Sequence, residues 1–420
     1  MIAQLQKLPN QMKAAQGKNY GDIDEMLTVE ESVPVPSLKE DDEDGYDEVF
    51  KSSAKENGIH PMMKSATKAD RKTHMLIKTL AVALAPGDIR VLSGKTRQFQ
   101  GPLYGFPYIP GGDCCGIVID PGTGNTGSGS DDGDNVNSNY FQKGDIVAAR
   151  FTVAPRDAMA EYARVSSTVC EKVDMTKAEK CNITPEGAAV LAGASPAVAL
   201  CDDFIRPNER VLILGAGGGI GSHFCQLAKR WKNASYICGV SCDTQRLLDE
   251  PINCDDAIDY TKENIYESKL YQQEPFDTII DLSCGGWLQL IEQNRNKGST
   301  SSIVKPASMG GRYITITPDT PSFDGSSLLA MMCIFVIKPM WRSFYSRIFT
   351  RKSLPTFTLA MALPETRDIM TKTLQLAYDG KLVPVIDGPY PMTTDGIRKA
   401  FRKLESRHAK GKVVVKVSDM

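Results

Sequence analysis

Hydrophobic and polar positions follow two rhythms along this chain, with the change near Ile183. Before it, apolar runs are short and end at Gly, Pro or Asp, as in Met75 to Leu84, Gly116 to Ile119 and Asp145 to Ala149. Such runs, bounded by turn formers, predict strands of a β-rich domain. After it, the Ala-rich segment Gly187 to Leu200 predicts a helix. The runs Val211 to Leu214, Tyr236 to Val240, Phe276 to Leu282 and Arg312 to Thr317 then alternate with helical stretches, the first being Ser222 to Trp231. This alternation predicts βαβ units and a parallel sheet. A helix from about Thr394 to Ser406 and a strand at Val413 to Val415 close the chain.

Three segments interrupt the pattern. Lys39 to Lys72 holds Glu40-Asp41-Asp42-Glu43-Asp44 and Asp47-Glu48, like charges that repel one another and bury no apolar surface. Pro121 to Asn139 is built from Gly, Ser, Asp, Asn and Thr and reads as a flexible loop, and Arg295 to Ser308 as a shorter one.

Composition narrows the function classes. A length of 420 residues allows two domains, and 41% hydrophobic with 24% charged residues is globular. A net charge of −2 gives no general attraction to nucleic acid, which is excluded as a partner. The 11 cysteines include no C-x-x-C pair, so neither a zinc ribbon nor a disulfide framework is indicated. The longest apolar run, Leu328 to Ile337, is half the ~20 residues a membrane-spanning helix needs. Pro318 to Phe349 mixes Trp341, Phe344, Tyr345 and Phe349 with Arg342 and Arg347. It reads first as a pocket wall or homodimer contact, with peripheral membrane contact as the other use of a basic aromatic stretch.

The candidate chemistry centres on Gly215-Ala216-Gly217-Gly218-Gly219-Ile220-Gly221, set between an aliphatic run and an amphipathic helix. Glycines there let the backbone turn and approach a pyrophosphate, whose charge the helix N-terminus attracts. The next predicted strand ends at Ser241, where an acidic residue would hold a ribose hydroxyl and repel a 2′-phosphate. Ser241, with Arg246 following, favours NADPH. Asp243 is expected to cap the helix that starts there.

Read outward from this turn, the chain resembles the zinc-independent, quinone oxidoreductase-like branch of the medium-chain dehydrogenases/reductases. The resemblance rests on Leu84-Ala85-Pro86-Gly87-Asp88, on Pro110-Gly111-Gly112-Asp113 through Gly116, on Lys143-Gly144-Asp145 and Ala160-Glu161-Tyr162, and on Asp379-Gly380-Lys381 and Gly411-Lys412-Val413-Val414. It implies an α/β architecture: a GroES-like β-rich substrate domain at 1–175 and 357–420, with a doubly wound Rossmann domain at 176–356 between them. It further implies that Ser195 stands near the nicotinamide carboxamide, that Tyr260 lies near the adenosine 2′-phosphate, and that Gly411 and Lys412 join Gly215, Gly218, Gly219, Ile220, Gly221, Ser241 and Arg246 around the cofactor.

Zinc-using relatives carry a cysteine near Pro86-Gly87 and a histidine where Gly112 stands. With neither present, the expectation is hydride transfer without zinc to a small electrophilic acceptor, a quinone or an α,β-unsaturated carbonyl. Tyr104 and Tyr108 are read as packing residues and Asp88 as holding its turn, so no catalytic residue is assigned. The family's asparagine before Pro86 is Ala85 here, which keeps open a catalytically weak NADP-binding regulatory or scaffold protein. Cytoplasm and mitochondrion both remain open as compartments.

Overall fold

A computed structural model of the chain describes residues 8–38, 73–95, 102, 105–122, 140–150, 157–297, 302–316, 318–319, 329, 332–360 and 366–420. The acidic segment, most of the Gly/Ser-rich loop, Tyr104 and Thr317 lie outside them.

The aliphatic runs of the second half form one six-stranded, all-parallel sheet. Its strands in chain order are Arg210–Leu214, Tyr236–Val240, Asp256–Ile258, Thr278–Asp281, Arg312–Thr315 and Thr356–Leu359. In space they lie 3-2-1-4-5-6, the order of dinucleotide-binding sheets, with the reversal between Arg210–Leu214 and Thr278–Asp281. Helices cover both faces, so Val211, Leu212 and Ile213 are all fully buried, and strands of this kind read as unbroken apolar runs.

Strands from both ends of the chain build the other large sheet. His74–Ala83 pairs antiparallel with Asp113–Asp120, with Tyr162–Ser166 and with Lys412–Lys416. Ile146–Arg150 and Cys170–Lys172 extend it on one side, and Ile386–Pro391, parallel to Lys412–Lys416, on the other. An N-terminal hairpin, Gln11–Gly17 with Leu27–Pro34, shares its core.

Helix Pro185–Phe204 joins the two sheets. Thr184 caps it by accepting from the Gly187 N–H at 3.2 Å, and Pro185 opens it with a backbone that needs no donor. Its small residues are buried on every side from Gly187 to Cys201, because it packs on both the first sheet and the helix after the glycine turn. Among the described residues it alone is long and apolar enough to cross a bilayer, and here it is core.

Two expectations need correction. Arg295 to Ser308 is not loop throughout: helix Gly286–Lys297 runs into it, and Ile303 and Val304 are buried, with Val304 bridging to Phe276. Two consecutive apolar residues among polar ones were too short a signal. The strand Thr356–Leu359 also runs across residue 356, where the second domain was expected to end.

Candidate cofactor site

The glycine turn lies at the point where the strand order reverses. Gly215 has φ +81°, a left-handed conformation that glycine adopts without strain, and a side chain there would meet the backbone of Leu282 and Ser283. The Gly218 N–H donates to the Gly215 carbonyl at 3.2 Å, closing the turn. Helix Gly221–Arg230 then starts at Ile220 with no side-chain cap and no acidic residue in its first turn. The positive end of the helix dipole therefore meets no competing charge from its own first turn, an arrangement suited to a pyrophosphate. Across the crevice, buried Asp281 accepts from the N–H groups of Ser283, Cys284 and Gly286 at 2.8–3.0 Å and fixes the opposing loop.

The cationic end of the site surrounds Ser241. A Cβ on Gly217 would come within 2.5 Å of the Ser241 hydroxyl and 3.1 Å of an Arg246 nitrogen, so that glycine lets both side chains close on the turn. Arg246 donates through Nη2 to the Gly217 carbonyl at 2.6 Å, while its Nε and Nη1 are buried without a hydrogen-bond partner. Nε has only a long ion pair, 3.9 Å, to Asp243 Oδ2, so the guanidinium beside the hydroxyl keeps donors that fit an anionic 2′-phosphate. Asp243 holds the N-cap position but makes no capping bond. Its carboxylate pairs with Lys410 at 2.8 Å, and that ammonium holds it below its usual titration range. Tyr260 is exposed beside Cys242, on the same rim as Arg407, which donates to the Ser283 carbonyl at 3.0 Å.

The C-terminal segment forms the other wall. The Gly411 N–H donates to the Gly217 carbonyl at 3.2 Å, and Gly411, at φ +113°, leaves no room for a side chain against Val385. Lys412 runs its stem over Gly219 and places its ammonium 3.0 Å from Asp113. Both partners are about 95% buried, and a Cβ on Gly193 would lie 2.5 Å from Lys412 Cε. Lys412 therefore shapes the turn through Gly219, with its charge committed to Asp113. Ser195, on the same helix as Gly193, donates to the Ala192 carbonyl at 2.9 Å and accepts from Arg150 at 3.2 Å. Arg150 lies opposite Asp113 in the sheet, so Ser195 adjoins this wall. Tyr108 packs in the core of the first sheet, and Asp88 accepts from Ala85 and Gly111 N–H groups, tying two turns together.

Two residues that the sequence does not mark join the halves of the site. His223 Nε2 accepts from the Val385 N–H at 3.0 Å, which makes Nδ1 the donor to the Gly219 carbonyl at 2.6 Å. Gln226 brackets Val383, accepting from its N–H at 2.8 Å and donating to its carbonyl at 3.1 Å. Burial first, and the Lys412 charge in addition, lower the His223 pKa to about 4. A histidine held neutral in this way contributes stability above its unfolded pKa of about 6.5, and loses it as pH falls towards 4. By linkage this amounts to about 3 kcal/mol over that window. Denaturant unfolding at pH 7 and pH 5 is expected to show a fall that His223→Asn largely removes, while the variant is less stable at pH 7. Equal pH dependence in both proteins would refute the assignment.

Two family models match the chain: "Alcohol dehydrogenase GroES-like domain" over residues 71–175 and "Zinc-binding dehydrogenase" over residues 252–415. Together they span well over half of it. Among curated proteins, the NADPH-dependent alkenal/one oxidoreductase, chloroplastic, of Arabidopsis thaliana is 26% identical, over 97% of this chain and 80% of its own length. The NAD(P)H oxidoreductase RTN4IP1, mitochondrial, of Bos taurus is 26% identical over 82% and 81%. The solved quinone oxidoreductase of Coxiella burnetii shares the fold, with a TM-score of 0.62 and 19% identity over 97% of this chain and 99% of that one. Although zinc stands in one family description, Pro86 and Gly112 offer no ligating side chain. Among the described residues no three His, Cys, Asp or Glu side chains converge on a metal site.

Proposed function

The chain belongs to the medium-chain dehydrogenase/reductase superfamily, in its quinone oxidoreductase-like part near the reticulon-interacting mitochondrial oxidoreductases, and on that premise we propose an NADPH-dependent reductase of quinones or α,β-unsaturated carbonyls that works without zinc. The observation that carries the cofactor half of this reading is Arg246, with two buried nitrogens that make no hydrogen bond beside Ser241 at the end of the second Rossmann strand. The acceptor half is supported by relatives described as an alkenal/one oxidoreductase and a 2-methylene-furan-3-one reductase.

NADPH, when bound, supplies hydride. In this reading Gly215, Gly218, Gly219, Ile220 and Gly221 present backbone to the pyrophosphate, and Ser241 and Arg246 hold the 2′-phosphate, with Tyr260 on the rim. Gly411 and Lys412 fix the turn from the far wall, and Ser195 belongs to the wall near the nicotinamide. An acceptor that spreads negative charge into its own carbonyl needs no Lewis acid, so the protein's task is to position two reactants and exclude water. The same reading divides the chain into a substrate unit from both ends and a Rossmann unit that includes Thr356–Leu359.

Purified protein is expected to oxidise NADPH faster than NADH in the presence of enals, enones or quinones. The assay is loss of absorbance at the nicotinamide band across such a panel. Tight NADPH binding with no turnover on any acceptor would sink the reductase reading and leave the regulatory or scaffold one, which Ala85 in place of an asparagine favours.

A further inference from the structure

The helix that precedes the last Rossmann strand carries an apolar face that is exposed among the described residues. More than half of the exposed large hydrophobic residues among those described fall between Leu329 and Phe349. Ile337, Trp341, Tyr345 and Phe349 follow one another at a spacing of four, and the residue just before each is also large, apolar and exposed. Spacing of this kind lays two adjacent columns along one side of a helix. The rings stack on one another along it, Trp341 on Tyr345 at 6.1 Å and Tyr345 on Phe349 at 5.5 Å between centroids.

The opposite side of this helix is firmly held. Ser346 is fully buried and accepts from the Phe357 N–H at 3.0 Å. Arg342 grips Asp319 with two nitrogens at 2.6 and 2.7 Å, and the Asp319 backbone lies against Gly285 of the crevice loop. The exposed face is thus presented by a fixed helix.

Charge identifies what the face fits. In the sequence from Gly325 to Pro364 there is no Asp or Glu, but there are five Lys and Arg residues, in a chain whose net charge is −2. Lys338, Arg347, Arg351 and Lys352 are exposed. We propose that this face is a peripheral membrane-binding surface that lies on an anionic phospholipid bilayer, its aromatic and aliphatic columns in the headgroup–acyl boundary and its cations among the phosphates. A helix with Trp and Phe on its apolar side and Lys and Arg beside them suits that interface, where each cation adds attraction to anionic lipid. A second copy suits it less, since self-complementary pairing sets the same cations against one another.

Sedimentation with vesicles tests this on the full chain. The protein is expected to pellet with phosphatidylcholine vesicles holding about one-fifth phosphatidylglycerol, and far less with pure phosphatidylcholine. Reversing three charges, Arg347→Glu with Arg351→Glu and Lys352→Glu, is expected to weaken binding on the order of a hundredfold. Trp341→Ser with Phe349→Ser is expected to weaken pelleting with the anionic vesicles by at least about tenfold. Both variants should keep the wild-type thermal shift with NADPH, which reports a folded Rossmann unit. Indifference to anionic lipid, or equal binding by all variants, overturns the proposal. So does a dimer in sedimentation equilibrium that Trp341→Ser with Phe349→Ser converts to monomer, since the occupant is then a second copy. The inference is independent of the reductase reading: an inactive protein that binds these vesicles keeps it, and an active one that ignores them does not.

Discussion

Gly221→Ala is expected to lower NADPH affinity on the order of a hundredfold and to cost about 3 kcal/mol of stability, the upper range for an added group in a packed site. An alanine Cβ there would stand 2.7 Å from the Ala216 Cα and closer still to the Gly215 carbonyl oxygen. Both are backbone atoms of the turn itself, so no side chain can swing aside. Gly215 would have to withdraw from its left-handed conformation, and the turn would lose the Gly218 to Gly215 hydrogen bond that shapes it. Gly218 makes a useful contrast, because its Cβ would meet only the Gly215 oxygen at 3.6 Å, an ordinary contact. The measurement is a thermal melt with and without NADPH. Gly221→Ala should melt lower and gain much less from the same NADPH concentration, and a wild-type ligand shift would show that the turn does not hold the cofactor.

Arg246→Ala is expected to separate the two nicotinamide cofactors. A hydrogen bond to a charged group contributes about 2 kcal/mol, so NADPH affinity should fall roughly thirtyfold while NADH affinity barely changes. The prediction rests on where the guanidinium points. One nitrogen is spent on the Gly217 carbonyl, and two more are buried beside Ser241 without a hydrogen bond, Nε standing 3.9 Å from Asp243 Oδ2. Lys410 holds the neighbouring Asp243 carboxylate, so the negative charge that could deter a phosphate is already neutralised. Titration of both nucleotides distinguishes the roles. An equal loss for NADPH and NADH would mean that Arg246 serves only to brace the turn through Gly217.

The legible parts of this protein were those in which local sequence and final environment agree. Val211 to Leu214 and Tyr236 to Val240 read as strands because a parallel sheet covered on both faces buries every position, and the structure places strands there. The turn after them was legible because its glycines answer to steric needs a few residues away. The clamp formed by His223 and Gln226 was not, since their partners lie 162 and 157 residues further along the chain. Arg407 and Lys410 escaped notice for the same reason: only folding brings them to the crevice loop and to Asp243. The ion pair of Lys412 with Asp113, 299 residues away, was likewise beyond local sequence. Asp243 looked like a helix cap because the local pattern could not register Lys410.

The strand Lys412–Lys416 lies one in from the edge of the first sheet, between His74–Ala83 and the edge strand Ile386–Pro391. Of the strands described, it is the last to be synthesised. Every strand of the Rossmann sheet, from Arg210 to Leu359, has by then been made and can pair with its neighbours. In the first sheet, Ala81 to Ala83 must instead wait for partners that lie more than 300 residues further along the chain, while His74 to Lys78 pair earlier with Tyr162–Ser166. Pairings across such sequence separations form slowly and leave unpaired edges exposed to aggregation. Cell-free translation arrested before residue 412 would therefore yield a chain with a mature nucleotide-binding half and an incomplete first sheet, and the segment that clamps the glycine turn is also the one that closes that sheet against His74–Ala83.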